Sequence, residues 1–295
     1  LVREPYLHTA VSCGGLLESA GSEAQRAQHI PPLMEGNAQW AFAFAEAQSG
    51  YDFSGINSCA VPQGDGYCLN GEKIAVLNGH AADYFIVTAL AEAGDPASLS
   101  LFIVAGEQPG IQRSSFTALD GSRGAVLEFD YVALPANSLL GGAGAALGPI
   151  ESTLNRSIIA LGAESLGAMQ VLVDSTVEYC KTREQFGQPI GKFQALQHRM
   201  AEMYLKLEET RSLLFNAAIQ LEQGSAEAAA ACAGLKVKLA EAGRFISHES
   251  VQLHGGIGMT DELIVGHLFK RLLLVSKLYG DEKFYLDRYL KLQAA

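Results

Sequence analysis

Gly141-Gly142-Ala143-Gly144 divides this chain into two kinds of sequence. Upstream, short apolar runs at 41–45, 59–61, 67–69, 73–77, 84–90, 99–104, 111–113 and 125–132 alternate with turn residues. The turns are Gly64-Asp65-Gly66, Asn70-Gly71, Asn78-Gly79, Gly94-Asp95-Pro96, Pro109-Gly110 and Asp120-Gly121. Strands at that spacing predict an all-β barrel or sandwich, with Asn70-Gly71 the strongest hairpin signal. Downstream the turns vanish. Leu154, Ile158, Leu161, Ser165, Ala168 and Leu172 fall on one helical face from about position 147. Further helices are expected over 193–223, 226–253 and from 261 to the end, which together make an antiparallel bundle.

Residues 1–36 read as short helices. Pro5 starts one, Gly21-Ser22 caps the next, and Pro31-Pro32 ends it. So thin a piece of helix cannot bury a core of its own and must pack on something. The expected organisation is an α+β multidomain chain: helices at 1–36, a β domain at 37–143 and a helical bundle at 147–295.

Composition narrows the function. Of 295 residues 18% are charged and 48% hydrophobic, the balance of an ordered globular protein. The net charge of −11 argues against nucleic acid as a partner, because phosphate backbones need clustered Lys and Arg. No apolar run approaches the roughly 18–20 residues of a membrane span, so no membrane partner is expected. The chain begins at Leu1, and no charged segment followed by an apolar one suggests a signal peptide. Cys13, Cys59, Cys68, Cys180 and Cys232 form no CxxC pair, and the histidines lack HExxH-type spacing. Small buried thiols in a reducing cytoplasm are expected, with neither disulfides nor a metal.

Two segments carry chemistry. In Arg183-Glu184-Gln185-Phe186-Gly187-Gln188-Pro189-Ile190-Gly191, between two helices, an Arg, an amide and an aromatic precede a turn. A guanidinium fork matches a phosphate, and an aromatic ring covers a purine or ribose edge. Spacing alone favours an ordinary helix connection with a solvated Arg. The second segment is Gln252-Leu253-His254-Gly255-Gly256-Ile257-Gly258.

Tyr179-Cys180-Lys181-Thr182-Arg183-Glu184-Gln185-Phe186-Gly187, followed by Phe193-Gln194-Ala195-Leu196-Gln197, resembles a signature of the acyl-CoA dehydrogenases. The run 252–262 resembles that family's second signature, and Ala45-Glu46-Ala47-Gln48-Ser49-Gly50-Tyr51-Asp52 its flavin-side motif in degraded form. The resemblance covers nearly the whole chain and lacks most of the family's N-terminal helical domain. It implies N-terminal helices, a middle β-barrel and a C-terminal four-helix bundle, with FAD lying across a subunit interface. Arg183, Gln185, Phe186, Gln194, Gln252, Gly255 and Gly256 are then the contacts to its pyrophosphate and adenosine. Glycines suit that place, since no Cβ stands between backbone N–H groups and phosphates.

The departures are equally specific. Ala45, Ala47 and Tyr51 replace a Thr, a Pro and a Ser of the flavin motif, and Ala75-Val76-Leu77-Asn78-Gly79 replaces a Trp-x-Thr-Asn-Gly pattern. The family's base, a Glu that removes the substrate α-proton, occupies one of two places. Asn155 stands at one here, before Arg156, and Gly280 at the other, after Tyr279. Asp281, one residue along, is a weak substitute. This combination is similar to the small subunit of heteromeric acyl-CoA dehydrogenases, such as pimeloyl-CoA dehydrogenase and steroid-side-chain dehydrogenases. The resemblance implies a larger partner subunit supplying the base in an α2β2 assembly, an acyl-CoA substrate, a role in lipid or steroid catabolism, and an electron-transferring flavoprotein as acceptor. Two alternatives stand beside it: a homo-oligomeric dehydrogenase with Asp281 or Glu46 as a relocated base, and a non-enzymatic scaffold.

Overall fold

The computed structural model describes residues 4–294. The first three residues of the expected N-terminal helical segment, and the last of the bundle, lie outside that range. Among the described residues, 4–157 form one compact unit and 158–294 a second.

The first unit opens with a π-helical segment, Leu7–Cys13, that runs directly into α1 (Gly14–Ala20). Helix α2 (Glu23–Met34) starts with a capping box: Ser22 Oγ accepts from Gln25 N, and the Gln25 side chain accepts from Ser22 N. Pro31 and Pro32 do not end this helix as expected. They lie in its last turn, where each lacks the N–H that would reach back to Ala27 O or Gln28 O, yet the helix continues and Glu35 N reaches Pro31 O at 3.0 Å. These helices pack on the sheet. Thr9 Oγ1 donates to Trp40 O at 3.0 Å, and Gln25 Nε2 donates to Asn137 O and Leu139 O, both at 2.9 Å. Trp40 stacks on Tyr84 at 4.7 Å with His29 edge-on at 5.1 Å.

Eight strands follow: β1 (Trp40–Ala43), β2 (Cys59–Gln63), β3 (Gly66–Leu77), β4 (Tyr84–Leu90), β5 (Leu99–Ala105), β6 (Ile111–Thr117), β7 (Arg123–Pro135) and β8 (Leu139–Leu140). They pair in the order β6-β7-β3-β2-β4-β5-β8, with β1 parallel to β4. The expected barrel is a curled sheet whose pairing path leaves β6 and β8 as ends. Curling brings Tyr67 of β3 within 5.0 Å of Phe102 of β5, although β2 and β4 lie between those strands. Ala41, Leu69, Phe85, Phe102, Leu127 and Val132 fill the inside.

The hairpin lies elsewhere than expected. β2 and β3 turn at Gly64-Asp65, where Gly64 has φ +58°, so that Gln63 faces Gly66. Asn70-Gly71 sits inside the single long strand β3 as a bulge. Gly71 has φ +139°, and a Cβ there would lie 2.3 Å from Ser58 Oγ, so glycine is needed for close strand approach. Asn70 Oδ1 accepts from Tyr131 N across the bulge at 2.9 Å.

The second unit is helical: the continuation of α3 (Leu147–Thr182), then α4 (Gln194–Glu222), α5 (Ala228–His254), α6 (Ile264–Val275) and α7 (Glu282–Ala294). Ile158, Met169, Leu172, Leu207, Leu235, Leu239, Ile246 and Leu268 meet in one core. By length and composition α3 is apolar enough to cross a membrane, contrary to the reading of short apolar runs, but 56% of its most apolar window is buried within the fold. The single last helix expected from 261 onward is two helices. Between them Tyr279 and Gly280 have φ +60° and +135°. A right-handed helix cannot continue through two such residues.

Candidate functional site

Seven residues single out one end of the helical unit. Helix α3 ends at Thr182, and Arg183 opens a two-stranded hairpin of β9 (Glu184–Gln185) and β10 (Gln188–Pro189). Phe186 and Gly187, with φ +55° and +77°, form its two-residue turn. Positive φ at both central positions is what a type I′ turn requires. Glycine accepts this freely, whereas a phenylalanine is held there at a cost of about 1–2 kcal/mol. Phe186 is 92% exposed and touches Phe193 edge-on at 6.1 Å.

The Arg183 backbone is fixed from both sides. Its N–H donates to Tyr179 O at 2.8 Å and its carbonyl accepts from Ile190 N at 2.8 Å. Among the described residues no carboxylate pairs with its exposed guanidinium. Gln194 is the first residue of α4 and exposed. The returning loop is held close: Gln197 Nε2 donates to Gly191 O at 2.9 Å, and a Cβ on Gly191 would stand 2.9 Å from Cys180 O.

At the end of α5, Gln252 is exposed and Gly255 terminates the helix with φ +68°, ψ −146°, a conformation open in practice to glycine alone. A Cβ on Gly255 or Gly256 would meet nothing within 4 Å, so the turn's backbone faces open space. Tyr179 and His254 bring the two motifs together. Their rings stack at 4.5 Å and 27°, and His254 Nδ1 is 2.8 Å from Ser250 O. Tyr179 lies one turn before Arg183, and His254 directly precedes Gly255. This stack of buried His254 on half-buried Tyr179 therefore ties the cationic hairpin to the glycine turn. The four-residue step puts Tyr179 and Arg183 on one helix face, but nothing local in the sequence marks His254 as the partner of Tyr179.

The arrangement fits the diphosphate and adenosine side of FAD. An unpaired guanidinium, an open glycine turn and a projecting aromatic ring lie at the joined ends of α3, α4 and α5. The flavin-side residues are different. Glu46 is buried and paired with Lys73 Nζ at 2.5 Å, and its carboxylate also accepts from Asn57 N at 2.8 Å and Ser58 N at 3.1 Å. Lys73, fully buried, also donates to Thr88 Oγ1 at 3.0 Å. Burial raises the Glu46 carboxyl, but Lys73 and the hydrogen bonds outweigh it and hold the carboxyl below its usual value. Burial pulls the Lys73 ammonium down to about 8, partly offset by Glu46. A saturated, ion-paired carboxylate is not a relocated base; it anchors the 45–49 loop to β3 and β4.

Neither family base position carries a base. Asn155, half-buried on α3, holds an amide that takes up no proton near neutrality. At Gly280 a Cβ would stand 2.4 Å from the Tyr285 ring, on a backbone at φ +135°. That turn has no room for a glutamate. Asp281 has a structural role. It precedes α7 and caps it, Oδ1 accepting from Phe284 N at 3.0 Å and Oδ2 lying 3.5 Å from Lys277 Nζ. The Phe284 N–H foremost, and Lys277 with it, hold its carboxyl below the usual range, which suits a cap and makes a poor base.

Comparison with known proteins agrees with this architecture. The profile of the acyl-CoA dehydrogenase middle domain matches residues 41–132, and that of the C-terminal domain matches residues 147–287. The short-chain-specific acyl-CoA dehydrogenase of Megasphaera elsdenii is 32% identical over 259 residues, covering 86% of this chain and 67% of that protein. Mitochondrial isovaleryl-CoA dehydrogenase of Pongo abelii is 34% identical over 273 residues, 90% of this chain and 63% of that protein. The structure of butyryl-CoA dehydrogenase from Megasphaera elsdenii superposes with a TM-score of 0.92 at 28% identity, over 98% of this chain and 76% of that one. The chain thus spans 63–67% of the length of these two curated relatives. Both domain profiles in order, and relatives above 30% identity along most of its length, place the chain in the acyl-CoA dehydrogenase family.

Proposed function

We propose that this chain is the non-catalytic subunit of a heteromeric, FAD-dependent acyl-CoA dehydrogenase. It completes the cofactor site of a larger partner that carries the base. One observation carries the reading: the diphosphate-side residues are displayed and organised, while the turn at Gly280 is packed so that no glutamate fits.

In this account Arg183 would pair with a diphosphate oxygen, and the Gly255-Gly256 turn, with no Cβ over its backbone, would let the same anion approach closely, the Gly255 N–H itself being spent on Val251 O and Gln252 O. Phe186 covers the adenosine, and Gln185, Gln194 and Gln252 supply amide contacts around it. The Tyr179–His254 stack keeps both halves in register. FAD, when bound, supplies the hydride acceptor for α,β-desaturation of an acyl-CoA thioester, the α-proton being taken by the partner's carboxylate. Within this chain Glu46 and Lys73 hold the β-domain loop without exchanging protons with substrate. An electron-transferring flavoprotein as acceptor and a place in lipid or steroid catabolism belong to the same proposal on family resemblance, and a cytoplasmic location belongs to it on the pattern of unpaired cysteines.

The test is purification of the chain alone and with its partner. A chain without flavin alone, and a yellow complex at one FAD per unlike pair, supports the reading. A chain that binds one FAD and turns over unaided overturns it.

A further inference from the structure

The hairpin that begins at Arg183 has little of its own to hold it. Its two strands contribute two residues each, and residues 183–187 are all exposed. A ladder so short is marginal in water, so the hairpin takes its position from what it is tied to. At the outgoing end the Arg183 N–H continues the last turn of α3 through Tyr179 O. At the returning end Ile190 packs on the helical core, and its N–H donates to Arg183 O at 2.8 Å. Gly191 then lies against the end of α3, where a Cβ would stand 2.9 Å from Cys180 O. One side chain secures this return. Gln197, in the first turn of α4, donates from Nε2 to Gly191 O at 2.9 Å. Among the described residues, no other side-chain hydrogen bond reaches the 183–191 segment from another element.

We propose that Gln197 is a positioning residue for Arg183. Its amide closes a path from α4 through Gly191 and Ile190 to the Arg183 carbonyl, so the guanidinium leaves a backbone held on both sides. Without that amide the return strand is free to lift from α4, and the Ile190–Arg183 hydrogen bond loosens with it. An arginine on a loosened backbone must be ordered when it meets a fixed anion, and that ordering is taken from the affinity. The role is indirect, through the loop. It rests on the reading of Arg183 as a diphosphate contact and adds a residue outside the seven that make up that site.

The test is a double-mutant cycle on the complex of this chain with its partner subunit. Isothermal titration of FAD into the deflavinated complex gives Kd for the wild type, Arg183→Ala, Gln197→Met and the double variant. Methionine keeps the length and helix propensity of glutamine and removes the donor. With Arg183 present, Gln197→Met is expected to weaken FAD binding about 3- to 10-fold, the worth of one hydrogen bond. In the Arg183→Ala background it is expected to change Kd by less than about twofold. The melting temperature of the cofactor-free complex should stay at the wild-type value throughout. Equal factors in both backgrounds, with or without a lowered melting temperature, or no effect in either, overturn the proposal and leave the diphosphate reading standing. Wild-type affinity in Arg183→Ala overturns both. Should Gln197→Met fail to fold, Gln197→Ala decides on the same terms.

Discussion

Arg183 and Gly280 define the account at the scale of single residues. Arg183 ends a fixed backbone and presents an unpaired guanidinium, so Arg183→Ala removes a contact without disturbing the fold. A charge-assisted hydrogen bond contributes about 1.5–3 kcal/mol, so that variant is expected to weaken FAD retention by the complex roughly 10- to 100-fold. Its melting temperature without cofactor should match the wild type. Isothermal titration of FAD into the deflavinated complex measures the first expectation, and a thermal melt the second. Gly280→Glu works the other way. The new side chain meets Tyr285 and demands φ near +135° of a residue with a Cβ. It is expected to cost about 2–4 kcal/mol and to confer no dehydrogenase activity on the isolated chain. Stable folding with gain of α-proton exchange would show the turn to be pliable.

At the scale of elements, the Glu46–Lys73 pair joins the 45–49 loop to β3 and β4. Lys73→Met leaves a buried carboxylate unpaired and is expected to cost about 3–5 kcal/mol in chemical denaturation. The sign of the acid dependence follows from Glu46. Its carboxyl is held below its unfolded value, so its contribution is present above the unfolded pKa and lost as pH falls through the folded one. The acid arm of a pH–stability curve should therefore be steeper in the wild type than in Glu46→Gln. Helix α2 offers a smaller check: Ser22→Ala removes half of a capping box and should cost about 1 kcal/mol.

Elements also show what sequence reveals. The apolar face of α3, from Leu154 to Leu172, was legible because helical periodicity and burial coincide there, and all six marked residues are buried. Strands β4 and β5 were legible for a similar reason, as continuous apolar runs bounded by turns. Asn70-Gly71 misled because the same dipeptide chemistry serves a hairpin or a bulge. The nearness of Ser58, thirteen residues before Gly71, favours the bulge. The split between α6 and α7 is hidden because its contacts are not local: Lys236 reaches the end of α6 from α5, and Tyr285 reaches back from α7 to Tyr279 O. At the candidate site the motif residues could be named from sequence. The Tyr179–His254 stack that joins them is a long-range contact with no local signature.

For the whole molecule, the chain combines the middle and C-terminal domains of the acyl-CoA dehydrogenase family with an exposed surface of Arg183, Phe186 and the Gly255-Gly256 turn, and with Asn155 and Gly280 at the two family base positions. The central claim is that its cofactor site is completed by a different chain. The measurement that addresses this most directly is flavin stoichiometry, by absorbance and protein quantitation, of the chain purified alone and co-purified with a larger acyl-CoA dehydrogenase partner. The account predicts no bound flavin alone and one FAD for each unlike pair. One FAD per chain in the isolated protein, with turnover of an acyl-CoA, would contradict it.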